Sequence, residues 1–417
     1  MSRAPFSRAT VVGGGLAGLS SAVQLTRAGL PVALHEGARQ AGGRCRSYHD
    51  SQIGKVIDNG NHLVLSGNGA VARFRATVGA TTPLAGPDSA SFAFHDLRDG
   101  SGWTLRMNEG PLPWWVAVPS RRVPGTRLAD YAALAKLMKR ADVPIASVIA
   151  THGPLWERLL DPVLLAVLNT PPGEGSLRLT ANVLRETIAR GGKALHPCVA
   201  VPSLAEAFIN PALGWLASHG ARAELGQRLR ALTFEGDRVA TLDWGQGPQP
   251  VAPDEAVILA VPSWVAQGLV PGLSAPDRFH SIVNAHYDFP LPAGAPPMLG
   301  LLGGTAEWVF GFDDRVSVTI SAADHLVDSP REEIAQACWN DICRAFGIAA
   351  PLPAWQVVKE KRATFSATPE QDAKRPPART AWRNLFLAGD WTATGLPATI
   401  EGALRSGETA AALVMAR

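Results

Sequence analysis

Gly13, Gly15 and Gly18 fill a G-x-G-x-x-G pattern near one end of the chain, and Glu36 stands 18 residues after the last of them. Glycine is the residue type that lets backbone N–H groups close on a phosphate, because no Cβ stands in the way. A helix N-terminus behind such a turn suits a pyrophosphate, and an acid at that distance suits a ribose hydroxyl. Near the other end, "NLFLAGDWTATGLPATIEGALRSGETAA" has the same logic in miniature. Its apolar run, Leu385 to Ala388, ends in Gly389-Asp390, and a glycine-flanked helix follows from about Ile400 and Gly402. One glycine pattern is a weak signal and is often just a tight turn. The pair fits a dinucleotide whose far half needs a second helix N-terminus, which favours FAD over NAD.

These residues require particular elements to hold them. "TVVGGGLAGLSSAVQLTRAGLPVALHE" reads as strand, glycine turn, helix and strand over 9 to 36, with Leu16 and Ala17 opening the helix and Gly37 following the second strand. That context raises the motif above a chance match. Arg3, Arg8 and the apolar run after them also suit a signal peptide, but the glycines and the strand-helix-strand order argue against one. Gly42-Gly43-Arg44 lies in the next loop, Asn59-Gly60 forms a turn, and a helix is expected over 68–78. A hairpin should turn near Asp99-Gly100.

The pattern turns helical from 126 to 168. One stripe holds Leu128, Tyr131, Leu134, Leu137 and Met138. A second holds Leu155, Leu159, Val163 and Val167. Two short strands are expected over 222–244, and "EAVILAVPSW" reads as a buried strand stopped by Pro262. Segments 281–289, 306–312 and 315–321 read as antiparallel strands. Ser329-Pro330 should cap a helix reaching about Phe346, and "QVVKEKRATF" is a strand leading to the closing glycine motif. The expected fold is α/β: a Rossmann-like FAD-binding domain with a parallel sheet, discontinuous in sequence, plus an α+β substrate domain with an antiparallel sheet. The FAD domain takes 1–75, 192–265 and 357–417. The substrate domain takes 76–191 and 266–356.

At 417 residues, 46% hydrophobic and 18% charged, the chain has enough apolar surface for more than one core. A net charge of +3 gives no reason to expect nucleic acid. No apolar run reaches the roughly 18 residues of a membrane span. Cys45, Cys198, Cys338 and Cys343 show no C-x-x-C spacing and no partnering histidines. They read as reduced thiols of a cytoplasmic protein, with no metal site. The 12 Trp and 13 Phe against 3 Tyr suit a long apolar ligand cavity, although such residues mostly fill cores.

With these motifs in hand, the chain resembles the flavin amine oxidase and carotenoid desaturase superfamily. The carriers are the first glycine unit ending in Glu36, "GGR" at 42–44, "LFLAGDW" and "TIEGALRSG". Within it the chain is most similar to the squalene-associated branch of hopanoid synthesis, the hydroxysqualene dehydroxylases. That narrower resemblance rests on "LWERLLDPVLLAVLNTPP" (155–172), "VVKEKRATFSATPE" (357–370) and "LFLAGDWTATGLPATIEGALRSG" (385–407). It runs over nearly the whole chain. It implies reductive removal of the hydroxyl of hydroxysqualene by hydride from reduced FAD, giving squalene. A polyisoprenoid substrate and upstream squalene-pathway enzymes as partners come with that implication.

The resemblance also assigns roles. Arg44 would neutralise the pyrophosphate, with a surface ion pair as the plain alternative. Asp390 would bond the ribityl or pyrophosphate part, and the helix from Ile400 would aim at the flavin. Ala260 and Pro262 would lie by the adenine side, where core packing explains them equally well. The "DNGN" loop, which holds Asn59 and Gly60, would pass near the isoalloxazine ring. His62 follows it and is a candidate general acid for a leaving hydroxyl, or simply a structural loop histidine. Asp161 and Asn169 sit on the branch-matching helix and could face the same cavity, although Asp161 before Pro162 also suits a helix cap.

No cysteine lies in the closing motif, so FAD should be non-covalent. Gly191-Gly192 and Gly300 to Gly304 have the wrong spacing for a second dinucleotide site, which leaves the electron donor unidentified. A carotenoid-type desaturase, an amine oxidase and a flavin-binding scaffold are the rival readings. Hydrocarbon substrates dissolve in bilayers. The basic residues Arg121, Arg122, Arg127, Lys136, Lys139 and Arg140 around the first stripe therefore suggest peripheral contact with the inner face of the membrane.

Overall fold

The computed structural model describes residues 6–416; residues 1–5, among them Arg3 and the start of the expected first segment, and residue 417 lie outside the description. A five-stranded, all-parallel sheet runs in the order Arg222–Leu225, Val32–Glu36, Arg8–Val12, Glu255–Leu259 and Leu385–Leu387. Strands buried on both faces must be apolar throughout, which is why "EAVIL" and "LFL" lack polar alternation. The helix Leu16–Arg27 crosses the closing helix Ile400–Met415 at very close range. Small residues permit it: a Cβ on Gly407 would stand 2.3 Å from the Ala17 carbonyl oxygen, and Ser20 Oγ donates to the Leu404 carbonyl at 2.9 Å.

A seven-stranded sheet forms the second layer system, in the order Trp355–Phe365, Phe279–Tyr287, Val316–Ile320, Trp308–Gly311, Met298–Leu302, Ser91–Asp96 and Ser101–Arg106. All its pairings are antiparallel except that of Met298–Leu302 with Ser91–Asp96. Its strands present alternate residues to opposite faces. Val283, Ala285, Val309 and Val318 pack under the helix Arg331–Phe346 through Ile334, Cys338 and Trp339. Ile282, Asn284, Trp308, Phe310 and Thr319 face a cavity on the other side.

Several expectations need correction. The strand "QVVKEKRATF" pairs along most of its length with Phe279–Tyr287, so the boundary drawn at 357 falls inside the antiparallel sheet. Residues 222–244 do not form one pair of strands. Arg222–Leu225 joins the parallel sheet, while Ala231–Glu235 and Arg238–Asp243 form a separate antiparallel sheet with Pro248–Pro250. The helix Arg331–Phe346 has Pro330 at its cap, and no Ser329 side-chain hydrogen bond closes it.

Between 126 and 153 only Ala132–Leu137 is α-helical, with short 3-10 turns at Leu128–Tyr131 and Ile145–Ser147. Prolines and glycines at 124, 125, 144, 153 and 154 break the run too often for a long helix. From 156 a wide π turn, Trp156–Leu160, leads into the α-helix Asp161–Leu168. Pro162 follows the wide turn, and the same sequence of events recurs at Ala205–Ile209 ahead of Pro211. Proline lacks an N–H and clashes with the preceding turn, and a wider turn relieves both problems. Asp161 is therefore inside a continuous helical segment and caps nothing.

Candidate active site

One cavity of about 1160 Å³ joins the two layer systems. Small-ligand cavities usually span roughly 300–1,000 Å³, so this one has room for a dinucleotide and part of a second molecule. Its first half lies beyond the C-terminal ends of the parallel strands, where open α/β sheets bind ligands. Gly13, Gly15, Leu16, Ala17, Glu36, Gly37, Gly42, Gly43, Arg44, Asn59, Gly60, Ala260, Pro262, Gly389, Asp390 and Ile400 all line it.

The three glycines of the first motif differ in what they do. Gly13 has φ +112°, and a Cβ there would stand 2.3 Å from the Ala260 carbonyl oxygen. Gly18 does not line the cavity; a Cβ there would sit 1.8 Å from the Gly13 carbonyl oxygen, so it packs the helix onto the turn. A Cβ on Gly15 would meet nothing within 4 Å. It would project into the open space where a phosphate belongs. Glu36 is anchored at both oxygens, accepting from Gly14 N–H at 2.6 Å and Ala38 N–H at 2.7 Å.

Toward the middle of the cavity Arg44 lines the wall and also has protein partners. Its guanidinium donates to Asp390 Oδ1 at 2.6 Å and to the Ala363 carbonyl at 2.6 Å. The arginine thus neutralises a buried carboxylate and ties the closing motif to the strand Trp355–Phe365. His62 lies beside this pair. Burial, and then the nearby Arg44 charge, lower its pKa to about 4, so it is a neutral imidazole at neutral pH and poorly supplied with a proton to give. Burial pushes the Cys45 thiol up to about 12. The thiolate needed for a covalent link is suppressed.

The second half is apolar. Phe92, Phe94, Leu105, Trp115, Leu159, Leu160, Val163, Leu164, Met298, Trp308 and Phe310 line it. Leu134 and Leu137 of the first stripe also point into it, and Tyr131 is buried beside Trp115. Tyr131, Leu134 and Leu137 of that stripe face the protein interior, contrary to the expectation that the stripe lies on a bilayer, while Leu128 at its start is exposed. Asn169 lines the cavity; Asp161 does not, although its neighbours Leu160, Val163 and Leu164 do.

Sequence reasoning missed three contributors. Gln227 to Arg230 line the dinucleotide half beside Glu36, with Gln227 N–H on the Glu36 carbonyl at 2.8 Å. They work by position after a short strand and carry no motif. Buried Arg375 donates to the Asp390 carbonyl and to Asp372, both at 2.9 Å, bracing the closing loop. Buried Glu401 accepts from the N–H groups of Ala70 and Val71 at 2.9 and 3.1 Å, capping the helix Gly69–Thr77. The "TIEGALRSG" segment contains Glu401, but nothing in it signals a cap more than 300 residues away.

The donor set fits a flavin dinucleotide. Asn59 Oδ1 is buried with no protein partner, a helix N-terminus opens at Ile400, and the cradle at Gly15 is free of side chains. The fold and the cavity together define a flavoprotein. The family model of flavin containing amine oxidoreductases matches residues 16–415. Hydroxysqualene dehydroxylase of Rhodopseudomonas palustris is 50% identical over 97% of this chain and 98% of its own. Its namesake from Sinorhizobium fredii is 49% identical over 97% of both. Cyclohexylamine oxidase from Brevibacterium oxydans shares the fold, with a TM-score of 0.72 at 17% identity, covering 98% of this chain and 99% of that one. The chain belongs to the flavin-containing amine oxidoreductases and, within them, to the family of these dehydroxylases. It is an FAD-dependent oxidoreductase.

Proposed function

We propose that this enzyme replaces the hydroxyl of hydroxysqualene by hydride, giving squalene. The observation that carries the reading is a single cavity with a glycine-built dinucleotide half opening into a long apolar half, in a chain sharing half its residues with dehydroxylases. That identity favours dehydroxylation over carotenoid desaturation or amine oxidation. Bound FAD, non-covalent and reduced by a donor not yet identified, supplies the hydride.

The chain's own residues do the rest. The side-chain-free turn at Gly13 and Gly15 would admit the pyrophosphate, the N–H groups of Leu16 and Ala17 would donate to it, and Glu36 would accept from the ribose. Asp390, held by Arg44 and Arg375, would face the ribityl side. The apolar wall from Phe92 to Phe310 folds the polyene and excludes water, which otherwise captures an allylic cation formed when the C–O bond breaks. The aromatic faces of Trp308, Phe310 and Trp115 favour positive charge in that space. Anaerobic mixing of the reduced protein with hydroxysqualene tests this reading, with product read by mass spectrometry. One squalene per reduced flavin is expected. No product, or a product with added double bonds, defeats the proposal.

We also propose that the enzyme meets the cytoplasmic face of the membrane, through the exposed tip at the start of that segment rather than through the buried part of its stripe. Among the described residues no helix is long and apolar enough to cross a membrane. Leu112, Trp114 and Leu128 are 77%, 51% and 51% exposed. The Arg121 guanidinium lies 4.7 Å from the Trp114 ring centre, and Arg122 and Arg127 are close in sequence. Trp115, Leu134 and Leu137, on the inner side of the same segment, line the apolar half of the cavity. An apolar tip ringed by cations suits the interface of anionic lipid, and it stands outside the wall a bilayer-dissolved substrate must pass.

A further inference from the structure

We propose that Glu307, acting through the Ser321 hydroxyl, serves the hydroxyl-bearing end of the substrate with a proton. The inference rests on the dehydroxylation reading and adds to it the group that lets the hydroxyl leave as water.

A polar island on the cavity wall is formed by Ser321, Asn169, Thr364 and Thr319. Asn169 Nδ2 donates to Thr364 Oγ1 at 2.9 Å, and Asn169 Oδ1 accepts from Ala322 N–H at 2.6 Å. Ala322 and Asn169 are the only non-glycine residues with positive φ among the described residues, at 42° and 46°. Asparagine is an ordinary left-handed helix end. Alanine is not, and such strain persists where the surrounding structure imposes it for a purpose. Here it turns the chain so that Ser321 stays on the cavity wall while its backbone N–H points back to Glu307 Oε2 at 2.8 Å.

The island is near the flavin side. Thr364 follows Ala363, whose carbonyl accepts from Arg44. Thr319, two residues before Ser321 on the same face, bonds Asn61 in the loop after Asn59-Gly60 at 3.1 Å. Residues i and i+2 of a strand are roughly 7 Å apart, so Ser321 lies within one substrate carbon chain's reach of that loop.

Behind Ser321, Glu307 has no cationic partner among the described residues. Burial, with a further contribution from Asp161, raises its carboxyl to about 7, against the opposing pull of the Ser321 N–H and hydroxyl. Cys338 and Asp341 face the same space from the helix Arg331–Phe346. Glu307 contributes to raising the Cys338 thiol, and Asp341 holds the N–H groups of Thr305 and Ala306. A carboxyl raised to about 7 is protonated in about half of the molecules at neutral pH, where His62, lowered to about 4, is almost wholly deprotonated. In the step, Glu307 gives its proton to Ser321 Oγ, and Ser321 gives its own to the substrate oxygen. The C–O bond breaks with its electron pair on the departing water, and Glu307 is left as carboxylate to be reprotonated from solvent. Because it acts through Ser321, Glu307 is a positioning residue; Ser321 is the one that meets substrate.

The test is single-turnover reduction of hydroxysqualene by the pre-reduced holoenzyme from pH 5.5 to 8.5, with Glu307→Gln, Glu307→Asp and Ser321→Ala. Infrared titration of the carboxyl band accompanies it. The protonated form is the active one, so the wild-type rate should fall as pH rises through about 7. Glu307→Gln should be slower by about 100-fold or more, consistent with loss of acid catalysis, and its profile should be flat in that range. Glu307→Asp should recover part of the rate and a sloping profile, and Ser321→Ala should lose rate at full FAD content. The wild-type protein should show a carboxyl band titrating near neutrality that is missing in Glu307→Gln. A purely structural glutamate would lower thermal stability without removing the pH limb. An unchanged limb in Glu307→Gln overturns the proposal while leaving dehydroxylation intact. No squalene from the wild-type enzyme overturns the dehydroxylation reading instead, and a carboxyl band unaffected by Glu307→Gln then overturns the proton store by itself.

Discussion

The two halves of the cavity are built on different principles. The dinucleotide half is made largely of backbone: Gly13 and Gly15 at one turn, Gly42 and Gly43 at the next, and the N-termini of Leu16–Arg27 and Ile400–Met415. The substrate half is made of side chains, contributed by strands and by short 3-10 and π turns far apart in sequence. Backbone sites tolerate almost no change at the residue that makes the approach possible. Side-chain sites tolerate change at most positions and fail at a few polar ones.

The sharpest way to break that contrast is within one motif. Gly18→Val forces a side chain against the Gly13 carbonyl, where a Cβ already stands 1.8 Å away, and neither backbone segment can yield. A loss of more than about 4 kcal/mol is expected, seen as no soluble folded protein. Gly15→Ala meets no atom, and its backbone at φ −75° and ψ 177° accepts alanine. It should fold with a wild-type thermal midpoint when both proteins are stripped of flavin, yet be purified with much less FAD per chain. Equal flavin content in Gly15→Ala and wild type would remove Gly15 from the cradle.

Asp390→Ala comes next in size. It removes the acceptor of the Arg44 bond at 2.6 Å and one of the contacts proposed for the cofactor. Hydrogen bonds to charged groups contribute about 1.5–3 kcal/mol, so FAD affinity should fall roughly 10- to 100-fold. Titration of the stripped protein with FAD, followed by flavin fluorescence, measures it. An unchanged affinity would mean that Asp390 serves only to hold Arg44.

The same division explains what the sequence could reveal. The glycine turns and their strands are local, so Gly13 to Glu36 and Leu385 to Ile400 were readable as a dinucleotide site from spacing alone. A strand near Arg222–Leu225 is legible in the sequence but its place in a sheet is not, because parallel pairing with Val32–Glu36 leaves no local mark. The Arg44–Asp390 pair spans 346 residues, so no local pattern marks it. Glu307 carried no signal at all: an acid at a strand start becomes special only when burial and Asp161 act on it. The stripe from Leu128 to Met138 is buried at Tyr131, Leu134 and Leu137 but exposed at Leu128, because an apolar period shows that one side of a segment is covered, not how far or against what.

The smallest expected effect concerns that last segment, where the side-chain half of the cavity meets the outside. Leu112 and Trp114 are exposed at the tip, while Trp115, Leu134 and Leu137 behind them line the cavity. If the tip enters a bilayer, Leu112→Glu with Trp114→Glu puts two charges where apolar contact and anionic headgroups are required. Each large apolar side chain contributes about 1.5–3 kcal/mol on full burial, and entry into an interface realises part of it. Binding to anionic vesicles in a flotation assay should therefore fall by about tenfold or more, and wild-type binding should weaken with salt. Neither residue touches the polar island or the glycine turns, so FAD content and turnover of detergent-dispersed hydroxysqualene should stay at wild-type levels. Turnover of substrate delivered in vesicles should drop with the flotation. Lys136→Glu with Lys139→Glu provides the contrast: if it abolishes flotation while the tip variant does not, the basic face rather than the apolar tip makes the contact. Wild-type protein that never floats at low salt would show that substrate reaches the cavity by another route.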